Sequence, residues 1–181
     1  VVALLSKVQY QDLQNVISFV TEKGEAPLFL ILDGITDIRN IGGIARTAFC
    51  CGVHAIIIPE KGVGALNEDA LLTSVGALEK IAVCRVNSLM KAVDDLHLYG
   101  IKVYASEMTA SKTIDEINFT EPAAIVMGGE EKGIYPALMK ICDEKMKIPM
   151  KGDFESLNVS VATGIILYEA MKQRLQNEHS S

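Results

Sequence analysis

The sequence has few of the residues that build metal sites or disulfide frameworks. Its four cysteines have no C-x-x-C spacing, and adjacent cysteines rarely bond to each other. They are Cys50, Cys51, Cys84 and Cys142. The three histidines are scattered, without a carboxylate or cysteine at ligand spacing. We therefore expect reduced cysteines in the core and no metal ion.

Long apolar runs and an excess of basic charge are also missing. No stretch approaches the roughly 18 to 20 apolar residues that cross a membrane, and no signal peptide is recognisable. These features predict a cytoplasmic protein without a membrane partner. The net charge of −6 argues against a domain that grips a phosphate backbone over a wide surface. If nucleic acid is a partner, its contacts are local or come from another module.

What the 181 residues do contain is a repeated alternation of short apolar runs and helix-length segments. The runs cover residues 28–33, 54–59, 80–86, 101–106, 123–128 and 146–150. Helices are predicted at residues 40–51, 87–100, 135–142 and about 156–175. This alternation is typical of an α/β domain with a mostly parallel sheet and helices on both faces.

The first predicted helix has clear ends and an unusual surface. Asn40 is a suitable N-cap, and Gly52 is suited to the position after the helix. One apolar stripe is made by Ile41, Ile44, Ala45 and Ala48. Gly42 and Gly43 lie one turn before Arg46, away from that stripe. The helix is therefore expected to offer bare backbone with a guanidinium above it.

Two glycine-rich stretches could suggest nucleotide binding, and both are rejected. Residues 128–133, GGEEKG, have the spacing of a phosphate loop, but Ile134 and Tyr135 replace the required Lys and Ser or Thr. Glu130 and Glu131 would also repel a triphosphate. The GVG at residues 62–64 lacks the third glycine of a dinucleotide site.

Three polar or glycine-rich clusters remain, and each follows or adjoins a predicted strand. They are DIRNIGGIARTA, MGGEEKGI and IPMKGDFESLNVSVATG. In open α/β sheets, sites form outside the carboxyl ends of strands, so the clusters predict one composite site. Taken singly, each could instead be a helix cap, a turn or a set of small packing residues.

The three clusters resemble the three motifs of the SpoU-TrmH family, RNA ribose 2′-O-methyltransferases of the SPOUT superfamily. N-x-G-x-x-x-R-T-A corresponds to residues 40–48, G-x-E-x-x-G to residues 128–133, and I-P-M-x-G-x-x-x-S-L-N-V-S-V-A to residues 148–162. The motifs occur in the family's order, and the similarity extends over residues 28–175.

The resemblance implies a fold, a cofactor and an assembly. The implied fold is a parallel sheet whose C-terminal segment forms a deep trefoil knot, which ordinary topology rules would exclude. The implied assembly is a homodimer, with S-adenosylmethionine held bent in each knot. The implied cofactor-binding residues are Gly128, Gly133, Ile148, Met150 and Leu157.

The resemblance also implies the reaction, methyl transfer to a ribose 2′-hydroxyl of RNA. The corresponding polar residues are Asn40, Arg46, Glu130, Ser156 and Asn158. Arg46 has been suggested as the general base in this family, but a protonated guanidinium has no acceptor lone pair. We therefore expect Arg46 to bind a phosphate, and Ser156 and Asn158 to face the ribose. Ser160 and Thr163 are expected to be small packing groups.

The domain boundaries and the substrate follow by the same analogy. Residues 1–27 are interpreted as the linker or tail of an N-terminal RNA-binding domain, and residues 28–181 as the catalytic domain. A guanosine of large-subunit ribosomal RNA is the expected target. The alternatives are a tRNA ribose methyltransferase and a catalytically silent, knotted RNA-binding protein.

Overall fold

The computed structural model describes residues 10–60, 80–153 and 156–180. The strands are β1 (Leu28–Asp33), β2 (Ala55–Pro59), β3 (Ala82–Val86), β4 (Lys102–Ser106), β5 (Lys112–Thr113), β6 (Ala123–Gly128) and β7 (Glu144–Lys147). The helices are α1 (Leu13–Glu22), α2 (Ile38–Cys50), α3 (Leu89–Leu98), α4 (Pro136–Ile141) and α5 (Val159–Ser180), with a 3₁₀ turn at Ile114–Glu116. The glycines at 62–64 lie outside the described residues.

The strands form one sheet in the order β3-β2-β1-β6-β4-β7-β5, and every described pairing is parallel. β1 pairs with β6 along its whole length, from Leu28 opposite Ala123 to Asp33 opposite Gly128. The second motif, which follows β6, and the start of α2, which follows β1, therefore lie at the same carboxyl-terminal end of the sheet. The α/β class with a parallel sheet is confirmed.

Helices cover both faces of the sheet. Neighbouring residues of a strand point to opposite sides, so each central strand contributes to two cores. Leu30 and Leu32 of β1 pack in one core cluster, with α2 and α5. Phe29 and Ile31 pack in the other, with α1, α3 and α4. All four strand residues are fully buried, which explains why β1 is apolar without alternation.

Helix α1 lies within residues 1–27, the segment that the sequence interpretation assigned to a linker or tail. Four of its apolar residues recur with helical spacing and are buried, namely Leu13, Val16, Ile17 and Val20, whereas Phe19 is exposed. Asp12 caps the helix by accepting a hydrogen bond from the Asn15 backbone N–H, 3.2 Å away. Residues 13–22 are therefore part of the packed α/β domain.

Helix α2 corrects two expectations. Its N-cap is Asp37, whose Oδ1 accepts from the N–H groups of Arg39 (2.8 Å) and Asn40 (3.3 Å), so Asn40 lies inside the first turn. The bare backbone at Gly43 is covered by α5, since a Cβ there would lie 3.9 Å from the Cβ of Ser160. Gly52 follows the helix with φ +83°, as expected.

The remaining differences concern the C-terminal part of the chain. β7 occupies residues 144–147 rather than 146–150, because Pro149 cannot donate to a strand ladder. α5 begins at Val159, three residues later than expected, and continues to Ser180. The two-residue strand β5 is too short for periodicity to reveal.

Arg174 anchors α5 to the opposite, amino-terminal edge of the sheet. Its guanidinium donates to the carbonyl oxygens of Phe119 (2.7 Å), Pro27 (3.0 Å) and Glu121 (3.1 Å), and also to that of Ala26. These carbonyls precede β1 and β6, the two central strands. The anchor lies at the edge of the sheet away from the strand ends that carry the motifs.

Candidate active site

A cleft opens where β4, β6 and β7 end and α5 begins. It is lined by Ser106, Glu107, Met108, Met127, Gly128, Gly129, Glu130, Gly133, Ile134, Lys147, Ile148, Met150, Ser156, Leu157, Val159 and Ala162. All five residues predicted to bind the cofactor are in this set. The structure thus brings the second and third motifs into one cavity.

The loop of the second motif is held so tightly that Gly128 has no room for a side chain. A Cβ at Gly128 would lie 2.3 Å from the carbonyl carbon of Gly133 and 2.4 Å from the Ile134 nitrogen. The Gly133 N–H donates to the Gly129 carbonyl, 2.8 Å away, and Gly133 has φ +66°. Both Gly128 and Gly133 are therefore required by backbone geometry, and they leave exposed main chain as the cleft wall.

Glu130 lies in the cleft wall and meets Asn40 and Asn158; we call these three residues the polar cluster and their position the mouth of the cleft. The Asn158 amide Nδ2 donates to Glu130 Oε1 at 2.9 Å and lies 3.4 Å from Asn40 Oδ1. Glu130 Oε1 also accepts from the Val159 backbone N–H, 3.1 Å away. One residue from each motif thus takes part in a single hydrogen-bonded group.

Asn158 is also the N-cap of α5. Its Oδ1 accepts from the backbone N–H groups of Ser160 (2.9 Å) and Val161 (3.3 Å), and from the Ser160 hydroxyl (2.6 Å). Its oxygen is thus used by the helix and its nitrogen by the polar cluster. Asn158 was predicted to face the ribose, and the structure adds a capping role that the sequence interpretation did not assign.

Two other candidate residues, Ser156 and Arg46, lie outside the polar cluster. Ser156 is exposed and lines the cleft. Arg46 is exposed on α2 and makes no hydrogen bond or ion pair with the described residues. Its guanidinium is therefore available to an anion.

The small polar residues of α5 serve packing, as expected. Thr163 is fully buried, and its hydroxyl donates to the Val159 carbonyl at 2.7 Å. Gly164 faces Thr47 of α2, and a Cβ at this glycine would lie 3.7 Å from the Thr47 methyl carbon. Together with Gly43 opposite Ser160, these contacts let α2 and α5 approach closely.

Sequence interpretation missed part of the cleft wall. Glu107 and Met108 directly follow β4, and Lys147 ends β7. None belongs to the aligned motif positions, although the carboxyl end of a strand is where site residues occur in open α/β sheets. Three charged side chains therefore line the cleft: Glu107, Glu130 and Lys147.

Two further properties of the described residues concern metal binding and membrane spans. No group of three His, Cys, Asp or Glu side chains within them could hold a metal ion. Of the helices in the described ranges, none combines the length and the apolar character needed to span a membrane.

Comparison with known proteins identifies the family. Residues 27–168 match the model of the SpoU rRNA Methylase family. The chain belongs to this family. The match includes all three motifs, and it confirms the resemblance on which the site prediction rested.

Individual SpoU family relatives cover most of the chain. It is 36% identical over 174 residues to the putative TrmH family tRNA/rRNA methyltransferase YacO of Bacillus subtilis, covering 96% of this chain and 70% of YacO. It is 41% identical over 166 residues to the 23S rRNA (guanosine-2′-O-)-methyltransferase RlmB of Photorhabdus laumondii, covering 92% of this chain and 67% of RlmB.

The fold also matches solved structures of SpoU methyltransferases. AviRb from Streptomyces viridochromogenes, in complex with the cofactor AdoMet, superposes with a TM-score of 0.81 at 28% identity. The match covers 93% of this chain and 66% of AviRb. The chain therefore spans about two thirds of the length of AviRb and RlmB.

Proposed function

We propose that this chain transfers a methyl group from S-adenosylmethionine to a ribose 2′-hydroxyl of RNA, with a guanosine of large-subunit ribosomal RNA as the target. The main structural support is the polar cluster, which joins one residue of each motif at the mouth of a glycine-walled cleft. The naming of RlmB as a 23S rRNA guanosine-2′-O-methyltransferase supports the target.

The cleft fits the proposed cofactor. Ile148, Met150 and Leu157 offer apolar contacts for an adenine ring, and the backbone at Gly128 and Gly133 offers peptide groups. A side chain at Gly128 would collide with the loop that forms this wall. When bound, S-adenosylmethionine supplies an electrophilic methyl group beside a sulfonium.

The chain's own residues would align the ribose and neutralise the RNA. Arg46, free of protein partners among the described residues, would hold a phosphate beside the target nucleotide. Ser156 lines the cleft and would contact the ribose, while Asn40 and Asn158 would orient the 2′-hydroxyl. Glu130 would fix both asparagines through the Asn158 amide. The proton would leave to a phosphate oxygen or to water.

An Arg46→Lys substitution tests the phosphate-binding role. Lysine keeps the charge but loses the two-pronged geometry of the guanidinium, so we expect KM for RNA to rise about 10-fold, with a smaller change in kcat. The matched control is Arg39→Lys, on the first turn of the same helix. A general base at this position predicts a different result, namely a new, lower apparent pKa in the pH profile of kcat. That outcome would show that Arg46 acts as the general base and not as a phosphate-binding residue.

Three expectations remain proposals: the C-terminal trefoil knot and the homodimer, which the family resemblance implies, and action in the cytoplasm. The dimer is supported by apolar side chains exposed on one face of α5: Val161 (52%), Ile165 (38%) and Tyr168 (58%). A Tyr168→Glu variant should dissociate in sedimentation velocity at micromolar concentration. A monomeric parent chain would refute the dimer.

The proposed reaction is tested by transferring labelled methyl groups to purified ribosomal RNA and tRNA. Methylation of a 2′-hydroxyl protects the adjacent phosphodiester from alkali, so the label should appear in alkali-resistant dinucleotides that contain guanosine. Label in tRNA alone would favour the tRNA alternative, which the naming of YacO as a tRNA/rRNA enzyme supports. Absence of saturable S-adenosylmethionine binding in calorimetry would favour the silent RNA-binding protein.

A further inference from the structure

Three charged side chains line the cleft, and two of them, Glu107 and Lys147, lie outside the motifs. Of the three, Glu130 already accepts hydrogen bonds from Asn158 and Val159, and Lys147 is a cation. Glu107 is therefore the carboxylate that remains for a ligand. It is only partly exposed and directly follows β4.

Local hydrogen bonds hold the Glu107 carboxylate in one orientation. Oε1 accepts from the Thr109 hydroxyl at 3.0 Å and lies 3.4 Å from the Thr109 backbone nitrogen. The Glu107 N–H donates to the Met146 carbonyl at 2.9 Å, which attaches the residue to the end of β7. Oε2 makes no hydrogen bond within the described part of the chain. One oxygen is thus tethered and the other is free to accept.

Glu107 and the polar cluster belong to different elements around the cleft. The polar cluster, to which the proposed function assigns the RNA ribose, is formed by residues from α2, the loop after β6 and the start of α5. Glu107 directly follows β4, which is separated from β1 by β6. Its neighbours along the cleft wall include Met108 and Ile148, which are apolar. A carboxylate beside apolar groups at a strand end suits a nucleoside, because hydroxyl donors satisfy the acid while the base packs against the apolar side chains.

From this geometry we propose that Glu107 accepts hydrogen bonds from the ribose diol of the cofactor's adenosine. The inference rests on the proposed function, since it presupposes an adenosine-containing cofactor in the cleft. One or both hydroxyls of the diol donate a hydrogen bond to Oε2, while Thr109 keeps Oε1 in place. Glu107 would thus favour ligands that carry a free ribose diol over ligands that lack one.

Calorimetric binding to two nucleosides tests the proposal without any methylation assay. Adenosine and 2′,3′-dideoxyadenosine are titrated, each by displacement of S-adenosylhomocysteine, into the parent chain and Glu107→Ala. A hydrogen bond to a charged group corresponds to roughly a 10- to 100-fold change in Kd. We expect the parent chain to lose that factor when the diol is removed. Glu107→Ala should bind adenosine as weakly as it binds the dideoxy compound.

Two further variants make the result specific. Glu107→Gln retains an oxygen for Thr109 and should fold normally, and it should weaken adenosine by about 3- to 10-fold. Glu131→Gln removes a charge from the second-motif loop, outside the cleft wall, and should change each Kd by less than about 2-fold. Melting temperatures of all variants establish that they are folded.

The possible outcomes separate this inference from the proposed function. If Glu107→Ala and Glu107→Gln weaken both nucleosides equally, or neither, Glu107 does not bind the diol and the inference is overturned. If the parent chain shows no saturable binding of S-adenosylhomocysteine, the proposed function fails as well. If Glu107→Ala and Glu107→Gln weaken adenosine but not 2′,3′-dideoxyadenosine, and Glu131→Gln changes neither, the inference and the proposed function are both supported.

Discussion

Asn158 allows the capping of α5 to be separated from the polar cluster, because its amide oxygen and nitrogen act on opposite sides. The oxygen accepts from the helix N–H groups of Ser160 and Val161. The nitrogen donates to Glu130 at 2.9 Å. Asn158→Ala removes both interactions, whereas Asn158→Asp keeps an acceptor for the helix and replaces the donor with a second carboxylate.

The expected magnitudes follow from these contacts. Loss of an N-cap costs about 1 kcal/mol, which lowers the melting temperature of a chain of this size by roughly 2 to 4 °C. In Asn158→Asp the cap is kept, but two negative charges would face each other about 3 Å apart. Their repulsion is about 1.4 kcal/mol at the dielectric constant of water, and larger where water is excluded. Both variants should lose methylation by about 10-fold or more, since neither has the Nδ2 donor.

The pH dependence of stability distinguishes the two variants. Repulsion raises the pKa of the carboxyl pair in the folded state of Asn158→Asp above the unfolded value of about 4. A raised folded pKa means that the folded state holds a proton longer, so destabilisation develops as pH rises above about 4 and is complete above the folded value. We therefore expect Asn158→Asp to melt close to the parent at about pH 4 and clearly below it at about pH 7. Asn158→Ala should show no such trend.

Thermal melts across pH, paired with methyl-transfer rates per folded molecule, provide the measurement. The double variant Asn158→Asp with Glu130→Gln restores an amide donor between the two positions and should recover the stability at neutral pH. The reasoning is refuted if Asn158→Asp shows pH-independent stability, or if it retains full activity. The first result would show that the 2.9 Å contact does not form, and the second that the donor is unnecessary.

Three further predictions concern packing rather than chemistry. Arg174→Met leaves several backbone carbonyls without their donor and should cost about 3 kcal/mol in chemical denaturation, with activity per folded molecule unchanged. Gly128→Ala should abolish S-adenosylmethionine binding in calorimetry, whereas Gly152→Ala, which has nothing within 4 Å of the added Cβ, should bind normally. Burial raises the pKa of the Cys84 thiol to about 12, so iodoacetamide at about pH 8 should alkylate exposed Cys50 and reach Cys84 only in denaturant, as peptide mass mapping can show. Native labelling of Cys84, normal binding by Gly128→Ala, or wild-type stability of Arg174→Met would contradict the respective contact.

The sheet could be predicted from sequence because its strands are buried on both faces. β1, for example, is an uninterrupted apolar run, and such runs are found mainly in parallel sheets. The order of the strands could not be read in this way, since periodicity carries no information about which strands are neighbours. Helix α1 was missed for a different reason: its amphipathic spacing was present, but the segment was interpreted by analogy with a linker.

The candidate site was predictable only as far as the motifs extend. Gly128, Ile148 and Leu157 were found because they occupy motif positions, and the structure places all three around one cleft. Glu107 was not found, because it belongs to a strand end outside the motifs. Its position became apparent only when β4 was seen next to β6 and β7.

The change of N-cap in α2 explains how Asn40 becomes available to the site. A side chain that caps its own helix is turned towards the backbone N–H groups of that helix. Asp37 takes this role in α2, so the Asn40 side chain can lie within 3.4 Å of Asn158. At α5 the arrangement is different, because Asn158 caps the helix while Glu130 supplies a second acceptor to Val159. The mouth of the cleft therefore forms only when the second-motif loop and the start of α5 are in contact, which links cofactor-site geometry to the placement of the polar cluster.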